Sequence, residues 1–194
     1  MREGLWNRIV FWLFVLVLIA FEVYALIENN QFKFDSVVML ALLVGVYLIR
    51  NRIKLHPFHF FLFGVFLAMH NLGAFGAYGM RPLGLEFDLY VHGFFGLVAA
   101  LILLRTYRES GLYKGWLMYL AIIALILGFS AFHELVEYIG AVTLGEGEGF
   151  LFIGVGDLDR FDTQKDMLNN LVGGILGLIL YSGKRVFSRA SRKK

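Results

Sequence analysis

Apolar residues run along this chain in blocks too long for a strand and too uniform for a surface helix, and polar residues are gathered at the block ends. A bilayer core about 30 Å thick needs roughly 20 apolar residues at 1.5 Å rise each. Six blocks approach that length: 6–27, 36–52, 57–77, 88–106, 115–142 and 165–183. The second is short and the fifth is long. Trp6, Trp116, Tyr119 and Tyr181 fall near block ends, where interfacial aromatics sit. The pattern predicts an all-α, polytopic integral membrane protein with a six-helix transmembrane bundle. Residues 1–194 read as one transmembrane domain, because no polar segment is long enough to fold separately and no repeat recurs at 20–50 residues. The first block is followed by no small-residue cleavage site and reads as a retained helix.

Composition agrees with this reading. Hydrophobic residues make up 59% of the chain and charged residues 17%, where a soluble domain holds about a quarter charged residues. No cysteine is present, which excludes disulfides and thiolate metal ligands. The net charge of +3 owes most to the tail KRVFSRASRKK. Next to a membrane helix such a tail is a topology signal that attracts anionic lipid, and nucleic acid is not an expected partner. Membrane lipids are the expected partners, and a homo-oligomer is left open.

The distribution of charge then orients the chain. Of the 18 basic residues, 14 lie at the N-terminus, in the loops after the second and fourth blocks, and in the tail. Lys33, Arg81, Arg160 and Lys165 lie on the other side. The positive-inside rule therefore places both termini in the cytoplasm of a multi-pass plasma-membrane protein. Among the acids, only Glu3 and Glu109 lie at cytoplasmic ends. Insertion does not require that asymmetry, so a site on the outer side is expected to use it.

Candidate chemistry collects at one depth. Asp88 and His92, four residues apart, share a helix face, as do His133 and Glu137. Glu134 lies beside them, His70 and Asn71 occupy the outer half of the third block, and Glu22 sits at a similar level. The last block opens on RFDTQKDMLNNLVGG, with Asp162, Asp166, Asn169 and Asn170. An ionisable side chain inside a span costs at least ~2.5 kcal/mol and usually faces the bundle interior. Glu134 and Glu137, one turn apart, call for a cation, a shared proton or a basic partner. Imidazole with carboxylate suits Zn, Mn or Fe. HELVE resembles H-E-x-x-H with Glu137 in place of the second histidine.

Plainer readings stand beside these. T-Q-K-D fits a capping box with Thr163 as the cap, and Asp88 can cap the fourth helix. His70 can be a histidine hydrogen-bonded between helices, Glu22 can reach the headgroups, and His56 and His59 belong to the inner interface. Gly173, Gly174 and Gly177 allow close helix packing. GEGEGFLFIGVGD lacks the Lys and the context of a phosphate loop, and its apolar core can lie in the interface or fold over the site.

The Asp88–His92 span, the Glu134–Glu137 span and the stretch Gly156-Asp157 to Asp162-Thr163-Gln164-Lys165-Asp166-Met167 resemble the YjdF-type family of uncharacterised bacterial and archaeal inner-membrane proteins, over roughly residues 60–180. The spacing between Gly156-Asp157 and Asp162 departs from that pattern. A looser similarity connects the chain to VanZ-like proteins. Both resemblances imply a shared polar site and supply no activity.

Three functions follow as expectations. The first is a metal-dependent hydrolase or transferase acting on a lipid or lipid-linked substrate. Its divalent metal would be held by His92, His133, Glu137 and Asp166, with Asp162, Asp88 and His70 as further ligands of the same layer and Glu134 as the general base. The second is a non-catalytic sensor of a lipid headgroup or cell-wall precursor. The third is a proton-coupled transporter, against which the apolar inner halves LVAALILL and ILGLILY weigh.

Overall fold

The computed structural model describes residues 2–30, 32, 35–111, 115–145 and 161–191. Residues 146–160, which include Asp157 and all of GEGEGFLFIGVGD but its first glycine, lie outside the described residues. Among the described residues there are six α-helices and no strands: α1 (Arg2–Ile27), α2 (Asp35–Ile49), α3 (Pro57–Ala74), α4 (Phe87–Ser110), α5 (Trp116–Leu144) and α6 (Asp162–Ser191). Each apolar block has become one helix, with ends shifted by up to four residues, except that α6 runs eight residues past the expected end, to Ser191. Four helices, α1, α3, α4 and α5, are long and apolar enough to cross a membrane. The apolar α2 has only 15 residues, and α6 carries Asp162, Lys165, Asp166, Asn169 and Asn170 in its first turns.

Local chemistry fixes the boundaries. Pro57 stands at the first position of α3, where its missing N–H costs nothing, and the His56 ring accepts from Phe58 N. Gly111 closes α4 in the left-handed region. The capping expectations fail by register. α4 starts at Phe87 after Glu86, so Asp88 is already helical. α6 starts at Asp162, and Phe161 O accepts the first helical bond from Lys165 N. Thr163 is therefore inside the helix, two residues past the cap position at Phe161.

The helices form two packed groups. In the first, α1 packs on α2 and α3 around Phe14, Leu18, Leu43, Phe60 and Leu67. In the second, α4, α5 and α6 enclose Leu104, Ile122, Ile126 and Leu178. The α4–α6 contact is the most extensive in the bundle, and α3 against α4 joins the groups. Glycines explain the closeness of α4 and α6. A Cβ on Gly173 would collide with the Gly93 carbonyl, one on Gly96 with the Asn170 carbonyl, and one on Gly177 with Leu97 O and Ala100. Gly173, Gly174 and Gly177 are legible in the sequence as packing residues, whereas Gly93, which faces Gly173, and Gly96, which faces Asn170 and Gly174, pass unnoticed there.

At the end opposite the polar layer, short bonds tie the two groups. Arg105 Nε donates to Lys54 O (2.6 Å), and its Nη2 meets Glu3 Oε2 (3.0 Å). Thr106 Oγ1 donates to Ile53 O (2.7 Å), and within the first group Asn7 Nδ2 donates to Leu55 O (3.1 Å). His59 is buried at this end, 6.5 Å ring to ring from Tyr181, so it belongs to the packed interior.

Candidate metal centre

The first turns of α4 and α6 carry the candidate site. The Asp88–His92 spacing puts both side chains on the α4 face toward α6, where Asp166 comes up from the second turn of that helix. His92 Nε2 lies 3.4 Å from Asp88 Oδ1 and 3.7 Å from Asp166 Oδ2. One donor atom from each of the three falls within 4.8 Å of the others, the only such trio of histidine and acid ligands among the described residues. The charges of Asp88, Glu134 and Asp162 all reach Asp166. Carboxylates so placed repel, and a cation among them removes the repulsion. The donor set, two carboxylates and one imidazole, fits a borderline divalent ion such as Zn, Mn or Fe.

Asn170 completes the arrangement. It lies one turn below Asp166, fully buried, on the same face of α6. Its Nδ2 donates to Ser130 Oγ on α5 (2.6 Å) and lies 3.1 Å from His92 Nδ1, while Oδ1 has no hydrogen-bond partner. In this orientation Nδ1 accepts, and the proton sits on Nε2 facing the two acids. A half-turn of the carboxamide puts Oδ1 where Nδ2 was, accepts from both Nδ1–H and the Ser130 hydroxyl, and leaves the Nε2 lone pair free for a metal. Ligating histidines are commonly held this way by a group on the other ring nitrogen.

The sequence profile of one family spans this whole arrangement. The chain belongs to the family described as Predicted membrane protein (DUF2238). The match covers residues 7–186, which takes in the greater part of all six helices and every residue of the site. No match was found among curated proteins or solved structures.

In this member of DUF2238 two of the remaining expected ligands, His133 and Glu137, pair beside the trio. His133 Nε2 meets Glu137 Oε1 at 3.2 Å, the i,i+4 pair legible in the sequence. The His133 ring lies 6.1 Å from that of His92 and 6.5 Å from that of His70. His70 is buried and shares a hydrogen bond with Tyr78 through Nδ1 (3.1 Å), which agrees with its plainer reading as a bonded interior histidine. Glu134 is buried on α5, within electrostatic reach of Asp166. Asp162 stands half-buried at the α6 N-terminus, where a helix dipole favours an acid. Glu22 is likewise half-buried, with one carboxyl oxygen out of contact with solvent.

Two contributors escape a reading of the sequence. Ser130 is a lone serine in an apolar helix and carries no pattern. Tyr78 belongs to a short 3-10 turn, Ala77–Gly79, after α3. Its ring lies flat against Gly73, where any Cβ would strike it. Burial, reinforced by the charges of Asp88, Glu137, Asp35 and Asp166, holds the phenol protonated far above the ordinary tyrosine range. Tyr78 therefore brings a neutral hydroxyl into a ring of acids. A further polar knot lies beside it on α2 and α3, where Asn71 Nδ2 donates to Ser36 Oγ (3.0 Å) next to buried Asp35.

Proposed function

We propose that this protein crosses the plasma membrane six times with both termini in the cytoplasm, and that Asp88, His92 and Asp166 hold a divalent metal at its outer face. On this reading the protein hydrolyses or transfers a group on a lipid or lipid-linked substrate. The observation that carries the proposal is the meeting of three donor atoms from two helices within 4.8 Å. Such a metal would supply Lewis acidity and lower the pKa of a bound water. His133 and Glu137, next to the trio, are placed to bind the substrate or to enter the ligand shell. Glu134, buried beside Asp166, is the candidate general base. The site lies within about two turns of the helix starts, near headgroup depth, where the labile bonds of lipids and lipid-linked precursors lie. A shared site of this kind is also what the YjdF-type and VanZ-like resemblances imply.

Transport is the weaker reading. Directly beneath the trio the α4 and α6 backbones meet at Gly93 with Gly173 and at Gly96 with Asn170, which leaves no room for a path between those helices. Metal analysis of protein purified in detergent tests the proposal. A stoichiometric divalent metal is expected in the wild type, with loss of the metal in Asp166→Asn and His92→Ala. Protein that carries no metal after incubation with Zn, Mn or Fe salts overturns it. With metal present, product formation from a fluorescent lipid ester or lipid pyrophosphate marks an enzyme. Thermal stabilisation by the same lipid without turnover marks a sensor instead.

A further inference from the structure

The twelve residues between α3 and α4 form a closed, bonded turn. Gly84 N donates to Arg81 O (3.1 Å), Leu85 N to Pro82 O (3.2 Å) and Phe87 N to Met80 O (3.1 Å). Arg81 pairs with Glu86 (2.9 Å), and Tyr90 OH on α4 donates to Pro82 O (2.8 Å). These bonds hold the turn in one form and so fix what it displays. It displays Met80, Leu83 and Leu85, exposed by 59%, 96% and 52%.

Leu83 is the telling residue. It sits at the tip in the left-handed region, φ 56° and ψ 23°. A solvated turn tip of that conformation favours glycine or asparagine, and a leucine there carries backbone strain as well as apolar exposure. Contact with lipid removes the apolar exposure, and the free energy gained there offsets the backbone strain. The depth agrees. The 18 residues of α3 span about 27 Å, close to the ~30 Å hydrocarbon core, so the turn that follows emerges at the headgroup level. Exposed Leu72 on the last turn of α3 continues the apolar surface of the helix into the tip. Arg81 and Tyr90 flank it with the residue types that settle at a lipid–water boundary.

We propose that the Met80–Glu86 turn is a wedge that seats Met80, Leu83 and Leu85 among lipids at the headgroup–acyl boundary, on the candidate site's side of the membrane. The wedge is joined to the site: Tyr78, which begins the same connection, holds His70 and stacks edge-on to Phe87 at 6.1 Å. It therefore fixes the polar layer at the level of lipid headgroups, and it does so whether or not that layer takes a metal.

The chain has no cysteine, so Leu83→Cys supplies a single thiol for an environment-sensitive nitrobenzoxadiazole label in phosphatidylcholine vesicles. The expected result is a blue-shifted emission, quenched about twofold or more by a lipid nitroxide carried ~5–10 Å below the headgroups, with little quenching by aqueous iodide. Leu85→Cys, in extended backbone on the same turn, gives the same reading should a label at Leu83 disturb the tip. Iodide quenching equal to that of the free label, indifference to the lipid nitroxide at both positions, or a thiol cross-link between two copies through Leu83→Cys would overturn the proposal.

Discussion

The two halves of the bundle are packed by opposite means. In α1–α3 large side chains fill the space: the Phe14 ring sits over Gly64, and Phe60, Leu43 and Leu67 are wholly enclosed. In α4–α6 the main chains themselves meet along Gly93, Gly96, Gly173 and Gly177, and the polar trio rises from the top of that seam. Side-chain packing tolerates adjustment, because a ring can turn or a neighbour can shift. Backbone contact does not. A site whose donor atoms must meet within a few ångströms is built on the half that cannot adjust.

The largest blow to this contrast is a side chain in the seam. Gly173→Leu drives a side chain into the Gly93 carbonyl and is expected to cost at least about 3 kcal/mol, read as loss of a monodisperse species and of the thermal transition in detergent. A fold that survives with its transition unmoved would show that the seam is not tight. Leu67→Ala opens a cavity in the other half. A bilayer is as apolar as the core, so little transfer energy is lost and the cavity dominates, giving about 2 kcal/mol, at the low end for such changes. Equal damage from both substitutions would erase the distinction.

Asn170→Ala separates site from scaffold. Removing the group that meets His92 Nδ1 and Ser130 should weaken metal binding by about 10- to 100-fold with helix content unchanged, measured by competition with a chelating dye. The smallest effect belongs to a glycine outside the seam. Gly128 on α5 has open space around its Cβ position, so Gly128→Ala should stabilise by roughly 0.5–1 kcal/mol through helix propensity alone. Destabilisation there would place a neighbour that the seam argument omits.

Much of this was legible in the chain, and the parts that were not share a cause. Periodicity and length give the helices, and i,i+4 spacing gives the Asp88–His92 and His133–Glu137 pairs, because both are properties of one helix. How the helices rotate against one another is not such a property, so the sequence pools seven ligands where the structure separates a trio from a neighbouring pair. Tyr78 lies on a turn with no period to betray it. Thr163 misleads because a capping box is defined by register, and the helix begins two residues earlier than the box requires. Gly93 and Gly96 were passed over because a glycine's neighbour decides its meaning, and the neighbour is on another helix.

Helices that touch through their main chains travel together. If the polar layer ever opens to admit a large molecule, α4 and α6 will go as one piece, carrying Asp88, His92 and Asp166 unchanged in their mutual spacing. The hinge would then lie between that pair and α5, which meets them at this level through side chains, the Ser130 hydroxyl against Asn170 and the His133 ring 6.1 Å from that of His92. Spin-label distances between α4 and α6 should stay constant through any working cycle, while those from α5 to either should change.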